Sequence, residues 1–173
     1  MAGYGDKPFG LRDIKITNIG GTVQEDLPSA QTMQVTERVV NAEMEGDDVI
    51  VSVVSFVQAL EWSLEAGGIS LEALELITGR TASESGTTPN RILTLNTESG
   101  DHFPWFKIYG KSLGEGDDDI HVKIYKAKCT ALEGTWQGGE FYVTNCSGMA
   151  VDDGSNGLYD IVQNETAAAL PST

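Results

Sequence analysis

Residues 11–18 read LRDIKITN, and the alternation that puts Ile14 and Ile16 on one side predicts a strand. The following run, IGGTVQEDLPSAQ, predicts a loop from its Gly, Pro and Ser content. In TMQVTERVVNAEME the apolar positions change parity: Met33, Val35 and Val39 share one, and Val40, Ala42 and Met44 share the other. Side-chain direction in a strand has a period of two, so the change predicts a β-bulge near Val39–Val40. It also predicts that Val40, Ala42 and Met44 point into a core while Asn41, Glu43 and Glu45 point away. The run EGDD at 45–48 predicts a hairpin turn. Two readings fit residues 49–64. Phe56, Leu60 and Leu64 have helical spacing, but the β-branched VIVSVV directly after the turn favours a strand. From Leu60 onward Leu60, Trp62 and Leu64 alternate with Glu61, Ser63 and Glu65. The expected element is one long strand, buried on both faces early and on one face late.

Gly67–Gly68 ends that strand, and SLEALELITG predicts the one good helix, near 70–78. Ser70 can cap its N-terminus, Glu72 suits the first turn, and Gly79 can close it in a left-handed conformation. Leu71, Leu74 and Ile77 form a narrow apolar stripe, suited to covering a sheet. An extended polar loop is expected over 79–91. Strands resume in RILTLNT, PWFKIYG, IHVKIYKAKCTAL, EFYVTNCSGMAV and GLYDIVQNE. Residues 1–10 and 166–173 read as terminal arms around a single domain, 11–165. About eight strands and one helix predict an all-β sandwich or barrel-like domain.

Charge sharpens this picture. The 173-residue chain carries a net −15. From Glu25 to Glu75 eleven acids face the single base Arg38, so that window holds −10 of the total. Such a surface repels a phosphate backbone and argues against ordinary nucleic-acid binding through Lys and Arg. Five of the eleven bases (Lys107, Lys111, Lys123, Lys126 and Lys128) crowd one short segment. They could neutralise acids across a subunit interface or be ordinary surface lysines. Two cysteines do not make a disulfide framework, and Cys129 and Cys146 are expected to pack as small hydrophobes in a protein made in a reducing cytoplasm. No apolar run reaches the length of a membrane helix.

Catalytic and metal chemistry find little support. Glycine-rich nucleotide loops and the G-x-S-x-G elbow are missing from the sequence. His102 and His121 are the only histidines, and His121 is explained by an exposed strand face. DDGSNGLYDIVQNE from Asp152 has Asp152, Asn156 and Gly157 where a calcium loop needs them. Gly154 and Gln163 stand where two ligands should be, so a plain turn is the better reading. The acids of GEGDDDI (114–120) are expected to be solvated. Trp62, Trp105 and Trp136 could make a sugar-stacking platform, though core or interface anchoring is their commoner role. No catalytic residue, cofactor or metal site is assigned.

The order of these features resembles the major tail protein, or tail tube protein, of long non-contractile-tailed bacteriophages. The likeness is carried by EMEGDDVIVSVVSFVQALEWSLEAGGISLEALELITG, a hairpin with an acidic turn, a long strand and a short helix ending in LITG. FPWFKIYG resembles the family's aromatic strand, and YVTNCSGMAVDDGSNGLYDIVQNET its final hairpin.

The resemblance implies a β-sandwich with one flanking helix, whose inner sheet joins its neighbours in a closed barrel. It implies a homo-oligomer of hexameric rings, stacked as a hollow tube in the virion tail and assembled in the host cytoplasm. Tape measure, tail tip and tail terminator proteins are its implied partners. Double-stranded DNA passes through during ejection without specific binding. Glu43, Glu45, Glu61 and Glu65 are then candidates for the channel wall, where carboxylates would not trap phosphates. Tyr4, Phe9, Glu25, Asp26, Arg80 and Arg91 are candidates for contacts between rings. The alternative is a monomeric β-sandwich module that binds carbohydrate or another cell-surface ligand.

Overall fold

The computed structural model describes residues 9–27, 29–46, 49–68, 70–114, 118–140 and 142–171. Its elements, in chain order, are β1 (Phe9–Asn18), β2 (Gln24–Asp26), β3 (Ala30–Gly46), β4 (Val49–Gly67), α1 (Leu71–Thr78), β5 (Ser83–Ser85), β6 (Ile92–Thr94), β7 (Phe106–Leu113), β8 (Asp119–Thr135), β9 (Val143–Ala150) and β10 (Tyr159–Asn164). All described pairings are antiparallel.

Eight of the strands form one sheet in the order β2-β1-β7-β8-β9-β4-β3, with β10 added on β8. The expected closed barrel is overturned by this ladder. It starts at β2 and stops at β3, and among the described residues no pairing joins the two ends. The 17-residue β8 makes a single sheet possible, because it changes partners along its length. Its first half lies between β7 and β10, and its second half pairs with β9. Bulges between Cys129 and Ala131, and opposite Phe106–Ile108, bend the sheet there. β1 and β3 thereby approach each other, and the sheet covers its own inner face.

That inner face is the core. Ile14, Ile16, Leu60, Trp62, Leu64, Phe106, Ile108, Ile124 and Cys129 belong to one buried cluster. Trp62 meets Phe106 edge to face, with ring centroids 5.6 Å apart. Each fully buried aliphatic side chain here contributes about 1.5–3 kcal/mol relative to exposure. The helix forms where its caps predicted. The Ser70 hydroxyl accepts from the Ala73 N–H, and Gly79 takes a left-handed conformation (φ 71°). Its buried face is Ala73, Ile77 and Thr78, while Leu71 and Leu74 are half-buried. Of the predicted stripe, Ile77 is buried as expected, and Ala73 and Thr78 take the other buried places.

Three other expectations change. The loop over 79–91 includes the strand β5, which pairs with β6 in a small exposed hairpin stabilised by an Arg91–Glu84 ion pair of 2.6 Å. Gln24–Asp26, read as loop, is a short edge strand on β1, too brief and polar to signal itself. His121 is buried, not on an exposed face, with Nε2 3.2 Å from a carboxylate oxygen of Asp119. Asp118 and Asp119 are buried as well, although the run around them reads as solvated.

The largest departure is in the β3–β4 hairpin. β4 pairs with β9 only from Leu60 to Gly67, whereas its pairing with β3 runs the whole way to Val49. Beyond Ala59 the hairpin leaves the body as a two-stranded ribbon. The first half of β4 was expected to be buried on both faces, and it is exposed on both. Met44, predicted to point into the core, is 60% exposed. Ala42 is exposed too, and Val40 half-buried. The core ends near Leu60, so the sequence alternation continues where there is no core to receive it.

Candidate functional site

Pairing fixes which side chains share each face of the ribbon, because residues directly opposite in an antiparallel ladder project to the same side. One face carries Val40 opposite Phe56, Ala42 opposite Val54, and Met44 opposite Ser52. The other carries Val39 opposite Val57, Asn41 opposite Ser55, Glu43 opposite Val53, and Glu45 opposite Ile50. A bulge lies near the predicted position, but its extra residue is Gln58 of β4, opposite the Arg38–Val39 step, so β3 keeps its own alternation and the expected change of face along β3 does not occur. Val39, Met44, Ile50, Val51, Val53, Val54, Phe56 and Val57 are all exposed, and Phe56 is 53% so. Among the described residues, neither ribbon edge is paired. An isolated hairpin of this kind is marginal in water and presents open edges and apolar faces.

Following the register back into the body separates the four candidate channel acids. Glu61 and Glu65 lie on the outer face of β4, opposite Thr36 and Thr32. Glu43 and Glu45 lie on the ribbon face that continues the inner side of β3, where Met33 and Val35 pack against the core. The hairpin thus carries the two pairs on opposite faces. Glu43, Glu45 and Glu61 are exposed, and Glu65 is half-buried.

The outer face around Glu61 is polar. A shallow groove of about 440 Å³ is lined by Gln34, Thr36, Glu61, Ser63, Thr130 and Ser147, among others. The same face ends in a basic and aromatic patch. Lys128 lies opposite Met149, and Met149 opposite Glu61, so one row runs across the sheet. Trp105, just before β7, sits at the end of that row. The Lys126 and Lys128 ammoniums stand 5.4 and 5.2 Å from its ring centroid. Neither lysine has a carboxylate within ion-pair distance among the described residues.

The candidates for contacts between rings are dispersed. Tyr4 lies outside the described residues. Phe9 is 77% exposed at the start of β1. Glu25 is half-buried on β2. Asp26 pairs with Lys15 at 3.2 Å, and Arg80 with Asp101 at 2.8 Å beside the Phe103 ring. Asp26, Arg80 and Arg91 therefore already have partners within the chain.

The three tryptophans do not make a platform. Trp62 is in the core, Trp105 lies under two lysines, and Trp136 is exposed against Tyr142 with centroids 4.7 Å apart. At 152–157 the carboxylates cap a turn. Asp153 accepts from the N–H groups of Asn156 and Ser155, which hold its pKa down at about 2. No cluster of three or more metal-ligating side chains occurs among the described residues, and no helix there is long and apolar enough to cross a membrane.

The sequence matches no family model, and no curated protein is significantly similar to it.

Proposed function

We propose that this chain is a structural subunit that assembles with copies of itself, and that the assembly is the tail tube of a long non-contractile-tailed phage. The β3–β4 ribbon carries the reading. Its apolar side chains are exposed on both faces, and its edges are open among the described residues. A monomer gains nothing from such a segment and risks aggregation. Identical neighbours give it cover, and a head-to-tail contact closes into a ring when its rotation allows.

The kind of assembly rests on the resemblance described above: stacked hexameric rings in the virion tail, with tape measure, tail tip and terminator proteins as neighbours. The acidic surface suits a channel that passes DNA without holding it. Because Glu43 and Glu45 lie on the opposite face from Glu61 and Glu65, one pair faces the channel in this reading and the other meets protein.

The test is to raise the concentration of purified protein while following sedimentation velocity, then to image it by negative-stain microscopy. Growth into rings or tubes with a central channel is expected. A particle that stays monomeric at every concentration overturns the proposal.

A further inference from the structure

Resting on the self-assembly reading, we propose that the acidic face of the ribbon docks on the Trp105–Lys126–Lys128 patch of a second copy. The two surfaces complement each other in two respects. Glu43 and Glu45 stand beside Val53 and Ile50, giving a strip that is both anionic and apolar. The patch is cationic and aromatic, with both ammoniums held close to one indole ring. No carboxylate of the same chain, among the described residues, neutralises either lysine. In a chain of net −15 such a patch is scarce, so an acidic strip has few other places to go.

Direction agrees with charge. Glu43 and Glu45 lie on the face that continues the inner side of their own sheet, and the patch lies on the outer side. A ribbon that overshoots its own core therefore brings its inner-side face over the outer side of the next copy, as overlapping tiles do. The same contact repeats from copy to copy, because each chain carries both halves. Burial of Val53, Ile50 and the indole supplies the attraction. The four charges select the patch and the register, since exposed ion pairs contribute little by themselves.

The experiment uses full-length protein and charge reversal on each half. Lys126→Glu with Lys128→Glu, and separately Glu43→Lys with Glu45→Lys, are each expected to weaken association by about tenfold or more. The four substitutions combined in one chain, or the two double variants mixed in equal amounts, are expected to restore assembly. In the mixture each reversed ribbon meets a reversed patch, and each native ribbon a native patch. Circular dichroism checks folding, and Lys126→Gln with Lys128→Gln gives a milder second variant that should also weaken assembly. If wild-type protein never assembles, the self-assembly reading fails, and this docking with it. If wild type assembles but reversal has no effect, or neither combination restores assembly, the docking fails and the self-assembly reading stands.

Discussion

The ammonium of Lys111 lies 2.8 Å from the carboxylate of Asp119, a side chain with no exposed surface. Asp119 also accepts from the Asn164 amide at 2.6 Å and the Ala168 N–H at 2.7 Å, while Lys111 donates to the Ala168 carbonyl. One buried charge pair thus ties β7 and β8 to the segment after β10. Burial acts to raise the Asp119 pKa, but the Lys111, Asn164 and Ala168 hydrogen bonds outweigh it and hold the carboxyl well below the usual range. A depressed carboxyl contributes stability above its unfolded pKa near 4, and that stability is lost as pH falls through the lower folded value. Lys111→Met leaves the carboxylate buried without its cation, and should cost about 3–5 kcal/mol in urea unfolding at neutral pH. Asp119→Asn should flatten the loss of stability below about pH 4.

Substitutions in the ribbon should separate folding from assembly. Met44 and Phe56 touch no core, so Met44→Asp or Phe56→Asp should change monomer stability by less than about 1 kcal/mol. The same variants should abolish the concentration-dependent growth expected of wild type. Thermal melts and sedimentation velocity on the same samples measure both quantities. A melting temperature that collapses with Met44→Asp would mean that the ribbon folds back on its own core.

Gly148 marks a close approach inside the body. A Cβ there would lie 1.9 Å from the Lys128 carbonyl oxygen and 2.9 Å from Cζ2 of Trp62. The carbonyl belongs to a paired strand and cannot move freely. Gly148→Ala should therefore cost about 1–3 kcal/mol in denaturant unfolding. Gly154→Ala, where space is open but φ is +83°, should cost less, since only local backbone strain opposes it.

Tyr125 offers an alkaline readout. Burial and a hydrogen bond to Asp160 push its phenol up to about 12. Its contribution to stability is complete below the ordinary value near 10 and lost as pH rises through the folded value. Ultraviolet titration of native protein should show this phenol ionising late. Asp160→Asn, which removes the carboxylate, should bring it earlier.

The cysteines predict resistance to labelling. Both are buried, with their sulfurs 2.9 Å apart, and the hydrogen bond between them together with burial pushes the Cys146 thiol up. Iodoacetamide should leave Cys146 unmodified in the native protein and react with it once urea has unfolded the chain. Mass spectrometry of the labelled protein distinguishes the two outcomes.

By itself the sequence determined features that rest on a few neighbouring residues. Ser70 and Gly79 marked the helix ends because capping is a local hydrogen-bonding problem. The alternation of Leu60, Trp62 and Leu64 with Glu61, Ser63 and Glu65 gave the faces of β4, because side-chain direction has a fixed period. A bulge near Val39–Val40 was legible too, but not that its extra residue would be Gln58 of the partner strand, which leaves the faces of β3 unswitched. Only the tertiary structure decided what each face meets. Met44 and Phe56 are written as core residues, yet the sheet that could have covered them ends at Leu60. Periodicity records which way a side chain points and not whether its own chain lies opposite. Asp118 and Asp119 look solvated in a polar run and His121 looks exposed on a strand face, and folding buries all three; Lys111 and the 164–168 segment reach Asp119 from distant parts of the chain. Trp105 acquired its two lysines across a strand pairing that no local pattern encodes. The open sheet and the surroundings of the interface candidates both depend on contacts far apart in sequence, and for that reason local patterns recorded neither.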